Sequence, residues 1–350
     1  MNHKIIILTD KGEQVPAVAP VIISASRSTD IPAFYAKWLI NRLSKGYCVW
    51  YNPFNKQPSY VSFAKTKVIV FWTKNPAPLI PYLDELDRYG IKYYFQFTLN
   101  DYENEGFEPR VPPLQERIDT FKQLSTRIGK EKVIWRFDPI ILTQEVTPRV
   151  LLNKIWHIGN EIKGYTDKLV FSFIDVMSYR KVQLNLISGT NYFTKNNIDS
   201  AELTELQMHE IASGIAKLRD YWKENDWNLQ LATCAEKIDL SKYGIEHNQC
   251  IDGNLIERLW GNDYELKYYL HTGQLPEKDI FGEYPPIPSV RKDLKDKGQR
   301  KTCKCTDSKD IGMYNTCPHL CVYCYANTSN KKVMDNMRLH VNDEDSIIKR

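Results

Sequence analysis

The 350-residue sequence lacks the features of several common classes of protein. Residues 1–20 have no secretory signal, because the charged start, the apolar core and the cleavage pattern are all missing. No run of residues approaches the roughly 20 apolar residues of a membrane span. Internal repeats and low-complexity tracts are also absent. With 42% hydrophobic and 26% charged residues, the sequence predicts a globular, cytoplasmic protein with no membrane partner.

The sequence also has little net charge. Its 47 Lys and Arg against 43 Asp and Glu give +4, which does not indicate a protein coated by nucleic acid. Residues 289–310 hold eight basic and four acidic side chains, and so carry an excess equal to that of the whole chain. This stretch has two interpretations, a solvated linker or a phosphate-binding patch, and the linker is favoured.

Short β-branched or aromatic runs alternate with amphipathic stretches along most of the chain. Strands are predicted near residues 21–24, 68–72, 93–99, 133–137, 169–174 and 229–232. Helices are predicted near residues 31–45, 78–89, 113–128 and 148–163, and helical segments between about 177 and 223. This alternation predicts an α/β fold with a parallel sheet. Because six units are present and no Gly-rich dinucleotide motif follows the first strand, we expect a partial or full TIM-like (β/α) barrel.

Three regions are expected along the chain. Residues 1–275 would form the barrel, and residues 276–309 a linker that is first Pro-rich and then basic. Residues 310–350 would hold a cysteine loop and a tail that complete the barrel mouth.

Polar side chains follow the predicted strands, where the carboxyl ends of a parallel barrel carry its chemistry. For any one of them, a helix cap or a structural ion pair is an equal alternative; Asp30 is a plausible helix N-cap, and Arg136 beside Asp138 a plausible ion pair. The candidate ligand-binding residues at these strand ends are Ser26, Arg27, Asp30, Lys74, Asn75, Arg136 and Asp138.

The eight cysteines are unevenly distributed, and clustered cysteines in a cytoplasmic protein first indicate metal or redox chemistry. Cys317, Cys321 and Cys324 have the spacing C-x3-C-x2-C, with Tyr323 directly before the last cysteine. Three thiolates on one loop can hold three irons of a cubane cluster and leave the fourth iron open. A structural zinc site usually has four protein ligands, so this loop alone fits zinc poorly.

This loop resembles the cluster-binding signature of radical S-adenosylmethionine (SAM) enzymes, most closely that of the branch with the spore photoproduct lyases. The whole chain resembles an uncharacterised bacterial family whose members end in such a cysteine cluster. The stretches that carry the second resemblance are residues 26–32 (SRSTDIP), 71–76 (FWTKNP), 135–139 (WRFDP) and 310–314 (DIGMY).

The resemblance implies a cofactor and a reaction. Cys317, Cys321 and Cys324 would ligate a 4Fe–4S cluster, and SAM would chelate the open iron. One electron, from a donor such as flavodoxin or ferredoxin, would cleave SAM to a 5′-deoxyadenosyl radical that abstracts hydrogen from a substrate. The likeness to photoproduct lyases suggests a nucleic acid lesion or a nucleotide as that substrate. Tyr323 would pack against adenine or simply pack the loop, and His319 is interpreted as a loop residue.

The position of the signature departs from the radical SAM pattern, in which it stands near the N-terminus. Here it begins at residue 317, which a circular permutation would explain. Residues 310–316 would then form the first strand of the family's barrel and residues 21–24 the second. Residues 24–30 would stand where the family contacts the methionine part of SAM.

Four further cysteines are candidates for a second site: Cys234, Cys250, Cys303 and Cys305. They would hold an auxiliary iron–sulfur cluster or a zinc ion, or else be ordinary free thiols. Cys48 stands in an aromatic, strand-like run and is expected to be a buried core residue.

Two other functions compete with radical SAM chemistry. One is a metal-stabilised nucleic-acid-binding protein that uses residues 291–309 to contact phosphates and has no SAM activity. The other is a metal-independent barrel hydrolase in which Asp30, Asp138, Asp175 and Glu236 act as acid and base. The hydrolase leaves the cysteine loop unexplained.

Overall fold

The computed structural model of the chain describes residues 3–349. Its strands are β1 (His3–Leu8), β2 (Gln14–Ala19), β3 (Ile22–Ala25), β4 (Tyr47–Tyr51), β5 (Pro58–Ser62), β6 (Val68–Thr73), β7 (Lys92–Thr98), β8 (Val133–Ile140), β9 (Lys168–Phe173), β10 (Gln230–Thr233), β11 (Ile245–His247) and β12 (Lys309–Asp310). Its helices are α1 (Ile31–Phe34), α2 (Ala36–Lys45), α3 (Leu83–Arg88), α4 (Leu114–Ile128), α5 (Pro148–Glu161), α6 (Arg180–Gly189), α7 (Glu205–Glu224), α8 (Gly253–Trp260), α9 (Tyr264–Thr272) and α10 (Asn330–Met337). Within residues 3–349, no helix combines the length and apolar character needed to cross a membrane.

Eight strands form one parallel sheet, and they include all six strands that the sequence predicts. Their order is β11-β10-β9-β8-β7-β6-β3-β12, and every neighbouring pair is parallel. The predicted helices are present with two changes: 78–89 is shortened to α3 after a turn of 3-10 helix, and 31–45 is divided at Tyr35 into α1 and α2. The helical segments expected between 177 and 223 are α6 and α7. The expectation of an α/β fold is therefore confirmed.

Hydrogen bonds do not close this sheet into a full barrel. Among residues 3–349, β11 and β12 are its two edges and do not pair with each other. The chain still brings the edges near one another, because the Thr306 amide, just before β12, donates to the Ile251 carbonyl oxygen, shortly after β11, at 2.9 Å. A closed TIM-like barrel is therefore not confirmed.

Successive side chains of the sheet point to opposite faces and enter two cores. On β6, Ile69 and Phe71 join the larger core, which contains buried residues of α2, α4, α5 and α7. Val68 and Val70 join a smaller core that contains buried residues of α8 and α9. Both faces of the sheet are therefore buried, which explains why its strands are almost continuously apolar.

The face with the smaller core becomes polar toward the carboxyl ends of the strands. After Val70, the next position on that face is Trp72, and the positions beyond the smaller core on neighbouring strands are polar. They are Ser24 on β3, Gln96 on β7, Arg136 on β8 and Ser172 on β9. The carboxyl ends of parallel strands meet at one edge, so this polar tier marks the edge where a site is expected.

A second sheet, in the order β1-β2-β5-β4, lies outside the predicted pattern. It consists of two antiparallel pairs, β1 with β2 and β4 with β5, joined by the parallel pairing of β2 with β5. Its strands include exposed apolar residues, with Ile6 67% and Leu8 65% exposed. Cys48 on β4 is fully buried in the larger core, which confirms it as a core thiol.

The segment expected to be a linker is only partly irregular. Residues 276–290 contain no helix or strand. Farther on, the chain makes specific contacts: Arg291 Nε donates to the Leu270 carbonyl oxygen at 3.1 Å, and Arg300 lies 3.5 Å from Asp175. Some of the basic side chains are thus engaged within the protein. The three-region division of the chain stays a prediction.

Candidate functional site

The cysteine loop, residues 317–324, lies at the carboxyl edge of the parallel sheet. It follows β12, and β12 pairs in parallel with β3 through Asp310 opposite Ser24. The His319 Nε2 atom lies 2.8 Å from Asp30 Oδ2, in the turn that follows β3. His319 is buried and held by this contact, in keeping with its interpretation as a loop residue.

Asp310 fixes the start of this segment to the end of β3. Its carboxylate accepts hydrogen bonds from Ser24 Oγ at 2.9 Å, Ser26 Oγ at 2.9 Å and the Arg27 amide at 2.8 Å. Gly312 permits the close approach, because a Cβ atom there would lie 1.7 Å from Ser26 Oγ. The sequence analysis missed Asp310 as a site residue, although it quoted the stretch 310–314.

The connection between β7 and α4, residues 99–113, cradles the cysteine loop. The Val322 amide donates to the Phe107 carbonyl oxygen at 3.0 Å, and His319 Nδ1 lies 3.3 Å from the Arg110 carbonyl oxygen. A Cβ atom at Gly189 would lie 2.9 Å from Val322 Cγ1, so the end of α6 also packs closely on the loop. The loop is therefore held by two segments of the chain.

A buried ion cluster lies beneath the loop. Lys74 Nζ is 2.7 Å from Glu108 Oε1, and Arg117 Nη1 is 3.6 Å from Glu108 Oε2. The hydroxyl of Tyr323 donates to the same carboxylate, and Lys74 Nζ lies 5.5 Å from the centre of the Tyr323 ring. Burial alone would raise the pKa of Glu108, but Lys74 and Arg117 lower it to about 2. Tyr323 therefore packs the loop onto this cluster; its predicted contact with adenine stays a prediction.

Glu108 was also missed by the sequence analysis. The only signal for it was the length of its loop, because 15 residues between β7 and α4 is long for a strand-to-helix connection.

The three thiols of the loop have raised pKa values. Cys321 is buried, and Cys317 and Cys324 are partly buried. Burial is the main cause that raises the pKa of each thiol, that of Cys321 to about 12, and the neighbouring cysteines of the loop raise those of Cys317 and Cys321 further. A bound cation would displace these protons, since thiolates are the metal ligands. As they stand, no three His, Cys, Asp or Glu side chains within residues 3–349 are arranged to hold a metal ion.

The candidate residues after β3 contact each other and the loop. Asp30 is the N-cap of α1, as expected, since its Oδ1 accepts from the Ala33 amide at 3.0 Å. Its Oδ2 accepts from the Lys74 amide at 2.7 Å. Both carboxylate oxygens are thus engaged, and Asp30 joins the ends of β3 and β6 to the cysteine loop.

Asn75 has a local role in the turn after β6. Its backbone amide donates to Thr73 Oγ1 at 2.9 Å, and its side-chain Oδ1 accepts from the Ala77 amide at 3.2 Å. Its predicted contact with a ligand stays a prediction.

Arg136 and Asp138 form the expected ion pair on β8, with Arg136 Nε 3.2 Å from Asp138 Oδ2. The pair also belongs to the polar tier, because Arg136 Nη1 donates to Gln96 Oε1 at 3.2 Å. The guanidinium groups of Arg136 and Arg27 lie 5.2 and 5.4 Å from the centre of the Trp72 ring. Two cations therefore share one aromatic ring at this edge of the sheet.

Within residues 3–349, buried polar atoms without a hydrogen-bond partner include Arg27 Nη2, Thr29 Oγ1 and Asn327 Oδ1 near the cysteine loop. Asn327 adjoins the loop, because its Nδ2 donates to the Cys317 carbonyl oxygen at 2.8 Å. A buried polar group without a partner costs about 1–3 kcal/mol. These donors and acceptors are therefore available to a polar ligand beside the cysteine loop.

The four other candidate cysteines come together in the structure. Cys234 Sγ lies 3.3 Å from Cys250 Sγ. The Ile251 amide, next to Cys250, donates to Cys305 Sγ at 3.4 Å, and the Cys305 amide donates to Cys303 Sγ at 3.5 Å. The bond with Cys305 lowers the pKa of Cys303 to about 7. The sequence named this set but could not place its members together, because 69 residues separate Cys234 from Cys303.

Glu236 gives a pH prediction. Burial raises its pKa to about 7. The folded protein therefore favours the neutral acid, so this group lowers stability progressively as pH rises from about 4.5 to about 7. We expect Glu236→Gln to be more stable than the unmodified protein by roughly 2 kcal/mol at pH 8, after allowance for partial exposure, and to match it near pH 4. Urea unfolding across this pH range measures the difference. A stability difference between the two proteins that does not change with pH would contradict the prediction.

Comparison with known proteins places the chain in a family. No curated protein and no solved structure matches the chain. Residues 22–326 match a family that is described as Domain of unknown function (DUF1848). The matched region runs from β3 through the cysteine loop and so includes the whole parallel sheet. The chain therefore belongs to the DUF1848 family.

Proposed function

We propose that the protein is a radical SAM enzyme with a circularly permuted partial barrel. The observation that carries this proposal is the position of the cysteine loop. Its three thiols follow a strand that pairs in parallel with β3, at the carboxyl edge of an eight-stranded parallel sheet. In this interpretation, β12 corresponds to the first strand of the radical SAM barrel and β3 to the second. An open sheet is compatible with it, because the barrels of that superfamily include partial ones.

The residues present fit the implied group. Three thiols within eight positions of one loop can ligate three irons of a 4Fe–4S cluster. The unpartnered atoms of Arg27, Thr29 and Asn327 supply donors and an acceptor beside the loop, suited to the charged methionine part of SAM. When bound, the cluster and SAM supply a radical that takes hydrogen from the substrate.

The chain's own residues would position and enclose that chemistry. Asp30 and Asp310 hold the loop to the end of β3, and the Lys74–Glu108 ion cluster supports it through Tyr323. The polar tier, with Arg136, Trp72 and Gln96, would form the adjoining face of the substrate site. Two cations and an aromatic ring there are suited to an anionic, planar substrate such as a nucleotide.

The competing nucleic-acid-binding function has less support. Several of its basic side chains contact other parts of the protein: Arg291 and Arg300 as described above, Lys295 with the Lys301 carbonyl oxygen at 2.7 Å, and Lys309 over the Trp50 ring. Such contacts reduce the number of charges available to phosphates.

The test is SAM cleavage by the iron-loaded protein. Protein reconstituted with iron and sulfide under anaerobic conditions, then given dithionite and SAM, is expected to form 5′-deoxyadenosine and methionine. Reactions without reductant or without iron are the controls. Protein that holds about four irons per chain but forms no 5′-deoxyadenosine would contradict the proposal.

A further inference from the structure

The four cysteines Cys234, Cys250, Cys303 and Cys305 come from both edges of the parallel sheet. Cys234 follows β10 and Cys250 follows β11, whereas Cys303 and Cys305 lie on the segment that leads into β12. One contact between sulfur atoms and two hydrogen bonds from backbone amides to sulfur link the four residues from one edge to the other. The four cysteines therefore lie between the edge strands β11 and β12, which are not hydrogen-bonded to each other within residues 3–349.

The surroundings of these thiols are rich in N–H donors. Cys250 Sγ accepts from Asn248 Nδ2 at 3.2 Å and from Arg136 Nη1 at 3.1 Å. Cys305 Sγ accepts from the Ile251 amide at 3.4 Å. A neutral thiol is a weak acceptor, whereas metal-bound thiolates are stabilised by such contacts. Arg136 also supplies positive charge, which four thiolates around a divalent ion would require.

The distances between the sulfur atoms indicate the kind of metal. A tetrahedral zinc ion with Zn–S bonds of 2.3 Å holds its sulfurs about 3.8 Å apart, close to the 3.3 Å that separates the Cys234 and Cys250 sulfurs. A cubane cluster interposes iron and sulfide between its thiolates and holds them beyond contact. From this geometry we propose that the four cysteines bind one structural zinc ion that joins the two edges of the sheet.

This zinc site is independent of the proposed radical SAM function and would take no part in cleaving SAM. No three of these thiols within residues 3–349 yet surround a common point, so zinc binding requires side chains of this group to rotate about their Cα–Cβ bonds. The backbone contact from Thr306 to Ile251, at 2.9 Å, already holds the edges at bridging distance.

Metal content separates this site from the cysteine loop. Protein purified in air from zinc-supplemented cells, with iron removed, is expected to retain about one zinc per chain. The double variant Cys303→Ser/Cys305→Ser is expected to lose that zinc and to unfold several degrees lower. The triple variant Cys317→Ala/Cys321→Ala/Cys324→Ala and the core variant Cys48→Ala are expected to keep the zinc.

A second measurement uses the unmodified protein, so that the result does not depend on the variants folding. Titration with an organic mercurial is expected to release zinc in step with modification of these four thiols. Absence of zinc, a disulfide between Cys234 and Cys250, or iron in excess of about four per chain would overturn the proposal. Failure of SAM cleavage would leave each of these readouts unchanged, so the two proposals can fail separately.

Discussion

Replacement of Cys317, Cys321 or Cys324 by alanine is expected to reduce 5′-deoxyadenosine formation to background. Each thiol would ligate a different iron of the proposed cluster, and a cubane with two protein ligands is not held in place. The variants are also expected to lose most of the iron that the unmodified protein takes up, together with its brown colour. Product analysis and iron determination on the same reconstituted samples measure the two effects.

Cys48→Ala is the matched control for this experiment. It also removes a buried thiol, but one that lies on β4 in the larger core, away from the loop. We expect it to keep its iron and its activity, with only a modest loss of stability. A loop variant that cleaves SAM at the rate of Cys48→Ala would show that the loop does not ligate a catalytic cluster.

Glu108→Gln is expected to lower the free energy of unfolding by about 3–5 kcal/mol. The substitution keeps the shape of the side chain but removes the charge that lies 2.7 Å from Lys74 Nζ and 3.6 Å from Arg117 Nη1. The buried cations Lys74 and Arg117 would then lose the carboxylate that they share. Removing one partner from a buried ion pair typically has an effect of this size. Urea unfolding at pH 7 measures the change.

Glu210→Gln serves as its control, because Glu210 is an exposed residue of α7. A surface substitution of this kind is expected to change stability by no more than about 0.5 kcal/mol. If Glu108→Gln changed the free energy of unfolding equally little, the ion cluster would contribute little to holding the cysteine loop in place. The cluster holds Tyr323, so a destabilised variant is also expected to take up iron less completely.

Much of the fold could be predicted because the central strands are buried on both faces. Runs such as 68–72 are continuously apolar or aromatic, and each is followed by a helix with the spacing of a βαβ unit. The smaller sheet was missed because its strands carry exposed apolar residues such as Ile6 and lack this regular alternation with helices. Closure of the large sheet was beyond prediction, since pairing of its edges depends on contacts distant in sequence.

The candidate site was likewise predictable only in part from the sequence. Spacing alone identified Cys317, Cys321 and Cys324 as a group, because they lie on one loop. Asp310 and Glu108 were missed, since a single carboxylate has no local pattern and gains its role only from long-range contacts. Their partners, Ser24 and Lys74, lie 286 and 34 positions away along the chain.

The pairing of β12 with β3 also sets an order of events during synthesis. The ribosome releases β3 long before it synthesises Asp310. While the chain from β3 to β11 emerges, β3 therefore lacks its partner strand β12. N-terminal parts of a chain generally fold first as it is made. A nascent or truncated chain can therefore assemble the polar tier while it has no residues 317–324. Any reactive cluster that this loop carries can form only after residues 317–324 have been translated, later than all the strands of the sheet.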